Sequence, residues 1–91
     1  MNQSEQNIYT NIRAEQIKHF QDKRNGHLMT KPYPIEEAKK IAEHQLKFDL
    51  KNGKLRVTLE ELLTYDNDTC LIILNNRNKE FINILTDIKN L

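Results

Sequence analysis

The chain has 91 residues, of which 37% are hydrophobic and 30% charged, and a formal net charge of +1. That length holds one modest core, so a single small domain over residues 1–91 is expected, and near-neutrality excludes a partner drawn to the whole surface by charge. A single cysteine excludes an intramolecular disulfide framework, and the absence of a leader-like pattern or a long apolar run makes the cytoplasm the expected compartment, with no membrane partner.

Residues 1–6 are polar and read as a frayed terminus. From Asn7 to about Arg24, the spacing of Ile8, Tyr9, Ile12, Ile17 and Phe20 predicts an amphipathic helix, which Asn25-Gly26 is suited to close. Residues 27–33 read as a connector, because Lys31-Pro32 and Tyr33-Pro34 both disfavour helix. Pro34 is placed to open a second helix, Glu36 and Glu37 suit its positive end, and Ile35, Ala38, Ile41, Ala42 and Leu46 make a buried stripe. That helix is expected to give way near His44 or Gln45.

Over residues 46–59 the apolar period changes to alternation. Leu46, Phe48 and Leu50 mirror Leu55, Val57 and Leu59 about Asn52-Gly53, a pair suited to a tight hairpin turn. Folding there puts the six apolar side chains on one face and Lys47, Asp49, Lys51, Lys54, Arg56 and Thr58 on the other.

Thr58 and Glu61 have capping-box spacing, which favours a short helix over Leu59 to Tyr65; the competing reading continues the strand through Leu63 and Tyr65. Asp66-Asn67-Asp68 reads as a turn, and the β-branched run near 69–74 as a third strand. A closing helix from about Lys79 to Asn90 would face Phe81, Ile84, Leu85 and Ile88 inward. One helix from Thr69 onward also fits the apolar spacing, but Asn75-Asn76-Arg77-Asn78 argues for a break. The expected fold is α+β: two N-terminal helices, a small antiparallel β-sheet built on a 46–59 hairpin plus a strand near 69–74, and a C-terminal helix.

The candidate binding surface is the cationic ribbon of Lys47, Lys51, Lys54 and Arg56, since two-stranded ribbons can follow a phosphate backbone. The bland alternative is a solvated sheet face, with Asp49 opposite Arg56 neutralising part of it. His19, His27 and His44 lack metal-ligand spacing, Cys70 sits in an apolar run, and the acids Glu60, Glu61, Asp66 and Asp68 lack a glycine-bearing calcium loop. No catalytic residue, metal or cofactor is expected.

These observations favour a non-enzymatic macromolecular interaction protein that binds another protein. Abundant Asn, Lys and Ile suggest an AT-rich coding sequence, hence a small accessory or inhibitor protein of a phage or plasmid acting on a host protein. The alternative is a nucleic-acid-binding regulator using the basic β-ribbon. Homodimerisation, with Ile82 and Leu91 at the contact, is a further option for completing a small core.

Overall fold

The computed structural model describes residues 1–25 and 31–89, with the backbone alone at residue 25 and over residues 80–89. Four helices follow one another: α1 (Gln3–Asn25), α2 (Ile35–Lys51), α3 (Leu59–Thr64) and α4 (Asn67–Lys89). There is no strand among the described residues, so the expected α+β fold, its 46–59 hairpin and its strand near 69–74 are all replaced by helix and loop. No described helix is long and apolar enough to cross a membrane. Two compact units divide the chain, Met1–Gly53 and Lys54–Leu91.

The first unit is a pair of antiparallel helices. Its direction follows from two observations: Asp22 near the end of α1 accepts a 2.6 Å hydrogen bond from the Tyr33 N–H just before α2, whereas Thr10 lines the same groove as Leu46, far along α2. Asn2 starts α1 earlier than the apolar period predicts. Its Oδ1 accepts from the Glu5 N–H at 2.8 Å, and the Glu5 carboxylate accepts in return from the Asn2 N–H at 3.4 Å. This reciprocal arrangement satisfies backbone donors that a helix start otherwise leaves without partners.

Helix α2 begins at Ile35, with Pro34 at the capping position in an extended conformation. It buries Ala38, Ala42, Leu46 and Asp49 along one side. Ala14 and Ile17 of α1 join Ala38 and Ala42 in a core against which Tyr33, Ile35 and Ile41 pack. Small side chains at the contact allow two helix backbones to approach closely. The inward face of α1 is more polar than its isoleucines suggest: Gln16 and Arg13 are buried with Tyr9 and Ile17, while Ile8 is 47% exposed.

The hairpin expectation fails because α2 does not stop at His44 but runs to Lys51. Asn52 and Gly53 then terminate it. The Asn52 N–H donates to the Phe48 carbonyl at 3.1 Å, the Gly53 N–H to the Leu50 carbonyl at 3.2 Å, and Gly53 takes a left-handed φ of 77°. A glycine in that conformation serves a helix end as well as a tight turn.

In the second unit the short helix α3 forms as the capping-box spacing predicts. Glu61 N–H donates to Thr58 Oγ1 at 3.1 Å, and Glu61 Oε1 accepts from the Thr58 N–H at 3.1 Å. Asp66 caps α4 through the Thr69 N–H at 2.7 Å, which turns the expected loop at 66–68 into a helix start. Val57, Leu62, Cys70 and Leu74 are buried, consistent with Cys70 as a small core residue. The polar stretch expected to break the chain continues α4 instead. Arg77 and Asn78 are occupied by residues 56 and 61, so their polarity is used within the unit. The Gly26 stop, His27, and the side chains of Phe81, Ile82, Ile84, Leu85, Ile88 and Leu91 lie outside the described residues.

Three substitutions test this architecture. Ala42→Leu adds volume where none is exposed and is expected to destabilise the chain by about 1–3 kcal/mol in urea unfolding, whereas Lys40→Leu on the solvent side stays within about 0.5 kcal/mol. Gly53→Ala meets no atom within 4 Å, so only its positive φ opposes it, at a cost of about 1 kcal/mol.

Candidate functional site

The four cations of the expected ribbon do not form one surface built on a sheet. Lys47 and Lys51 are exposed one turn apart on α2, in the first unit, and Lys51 suits the negative end of that helix. Lys54 and Arg56 belong to the second unit, in the segment preceding α3. Arg56 is half-buried there and donates to Asn78 Oδ1 at 3.1 Å, while its carbonyl accepts from Arg77 at 3.0 Å. Those bonds tie it to α4 within that unit.

Lys47 has a different setting from its expected partners. It lines a groove of about 560 Å³ on the helix pair, together with Glu43 and Lys39 one and two turns earlier on α2. The α1 wall carries Gln3, Asn7 and Asn11, again at every fourth residue, with Gln6 beside them. Thr10 and Leu46, both buried, lie at the base. Such a volume falls within the range of clefts that hold a ligand or a short peptide.

The walls are chemically unlike. Each carboxamide of α1 offers both donors and acceptors, whereas the α2 wall alternates cation, anion, cation. Gln3 Nε2 donates to Asn7 Oδ1 at 3.0 Å and Gln6 Nε2 to the Met1 carbonyl at 3.2 Å, so part of the amide wall is aligned by its own hydrogen bonds. No ion pair joins Lys39, Glu43 or Lys47 to a described residue. Sequence reasoning focused on Lys47 and passed over its neighbours. The signal that points to them is the fourfold spacing shared by Gln3, Asn7, Asn11 and by Lys39, Glu43, Lys47, which places each trio along one side of a helix.

The carboxylates that titrate abnormally have other work. Arg77 lies 2.7 Å from Glu61 and, with the Thr58 donors, holds that carboxyl below its ordinary value against the opposing effect of burial. Lys18, 2.6 Å away, is the main cause of the depressed Asp22 value, followed by the Tyr33 N–H. The Thr69 backbone lowers Asp66. All three shifts favour the anion and belong to caps and ties, which is the opposite of the raised carboxyl a general acid needs. The Cys70 thiol is enclosed against the Glu61 and Tyr65 carbonyls at 3.8 and 3.9 Å. Among the described residues no His, Cys, Asp or Glu group is arranged to hold a metal.

Because Glu61 is more acidic when folded, its contribution to stability is complete above the unfolded carboxyl value and is lost as pH falls through the folded one. Thermal unfolding between pH 6 and 3 should therefore decline less steeply for Glu61→Gln than for the native chain. Thr58→Ala removes the reciprocal cap and is expected to cost about 1 kcal/mol at neutral pH. The chain matches no family model, no curated protein and no solved structure.

Proposed function

We propose that the protein is a non-enzymatic interaction protein whose working surface is the groove on the α1–α2 pair and whose partner is another protein. The observation that carries this reading is the groove's composition: two ladders of exposed polar side chains over a buried base. It offers many hydrogen-bonding positions, carboxamides on one wall and alternating charges on the other, a surface suited to holding a ligand. A small accessory or inhibitory protein acting by occupying part of its target fits this arrangement. The nucleic-acid reading has lost the ribbon that carried it, since Lys47 and Lys51 are helical and Arg56 is engaged with Asn78.

Photo-crosslinking groups placed at Asn7 and Asn11 in the source cell test the proposal. They are expected to trap one protein, with trapping lost when Lys39 and Lys47 are both changed to Glu. Crosslinks from exposed Glu60 that are insensitive to those changes, with none from the groove, would overturn it.

A further inference from the structure

The two ladders have a repeat that selects a kind of ligand. Four residues of helix rise about 6 Å, and two residues of extended chain rise about 6.6 Å. Gln3, Asn7 and Asn11 therefore present one carboxamide for every second residue of a peptide lying along the groove. A primary amide has the same donor and acceptor pair as a peptide unit, so each can bond a backbone N–H and C=O together. Lys39 and Lys47 are eight helical positions apart, about 12 Å, close to the roughly 13 Å that separates residues i and i+4 of an extended chain. Side chains at i, i+2 and i+4 project on the same side. Glu43, midway between the lysines, meets the i+2 side chain and repels an acid there.

From this match we propose that the groove binds an extended peptide segment with acidic side chains at i and i+4 and an uncharged one at i+2. The proposal rests on the reading of the groove as the protein's binding surface and adds the chemistry of what it holds. A peptide suits the site better than a single nucleic-acid strand, for two reasons. No aromatic side chain lines the groove to stack a base, and Glu43 would lie against a continuous row of phosphates. Charge-assisted bonds from two lysines that form no ion pair with a described residue supply selectivity at the ends, and the amide ladder supplies sequence-independent hold between them.

Fluorescence anisotropy of the full chain with labelled peptides decides the matter. A short peptide with Glu at i and i+4 is expected to bind about tenfold more tightly than its Gln counterpart and than a peptide carrying Glu at i, i+2 and i+4. Added salt should narrow the difference. Lys39→Gln and Lys47→Gln, both at exposed positions, should each weaken the favoured peptide several-fold without changing the helical circular dichroism. Glu43→Gln should admit the three-Glu peptide. Equal binding of Glu and Gln peptides, no binding of either, or tighter binding of oligo(dT) would overturn the proposal. If groove-dependent crosslinking to a cellular protein persists in that event, the peptide assignment alone is wrong. Loss of both defeats the interaction reading itself.

Discussion

Close contact between α1 and α2 at Ala14, Ala38 and Ala42, all fully enclosed, is the constraint on which the first unit depends. Alanine loses little side-chain entropy in a helix and holds no neighbour at a distance, so the two backbones come together over the middle of the pair. Larger side chains then have to find room along the sides of the seam. Tyr9, Gln16 and Leu46 take interior positions, and the long polar residues Gln3, Asn7, Asn11, Lys39 and Lys47 rise on either side of the groove. A bulkier seam would carry its side chains into that space. The groove is thus a consequence of what the core leaves out.

A seam of alanines removes little apolar area from water, and several polar groups are enclosed alongside it: Gln16 and Asp49 are each 2% exposed. Enclosed polar groups are tolerable only when bonded. Arg13 donates to Gln16 Oε1 at 3.4 Å, a long contact, and both Arg13 and Asp49 have further interactions. At the other end of the pair Asp22 joins Lys18 and Tyr33, fixing where the chain re-enters helix. The helix pair therefore relies on directional polar contacts as well as on burial, which favours one register over the many that a uniformly apolar seam would permit.

How far the fold can be read from the sequence differs from element to element, for identifiable reasons. Thr58 and Glu61 announce α3 correctly because a capping box is a local event, complete within four residues. Asn52 and Gly53 announce a left-handed glycine correctly and its purpose wrongly. Positive φ is shared by hairpin turns and helix ends, and only the preceding residues choose between them. Leu46, Phe48 and Leu50 suggest alternation, but Ala38, Ala42 and Leu46 already define a helical stripe, and Leu50 proves exposed while Asp49 is enclosed. The deciding side chain is a carboxyl that no hydrophobic pattern would place inside. In the same way Asn75 to Asn78 look like a break until Arg77 and Asn78 are seen to bond Glu61 and Arg56, partners some twenty positions back in the chain. Of the four cations of the expected ribbon Lys47 lines the groove, where its neighbours include amides, an acid and Lys39, which a search confined to residues 46–59 passes over.

Amides in place of charge would change how the proposed recognition works. A cationic ribbon would draw a polyanion from a distance and lose affinity sharply with salt. A wall of Lys39, Glu43 and Lys47 has little net field beyond the screening length of about 8 Å at physiological ionic strength, so it would act only after contact. On the proposed reading it would distinguish the spacing of charges along a ligand rather than their number. The carboxamides opposite do not titrate, and their hydrogen bonds weaken little with salt, so in the proposed complex the hold on a backbone would persist while the charged wall graded one sequence against another. In a chain whose formal charge is +1 and whose cations are mostly matched by acids, discrimination at short range is the form of selectivity the surface can support.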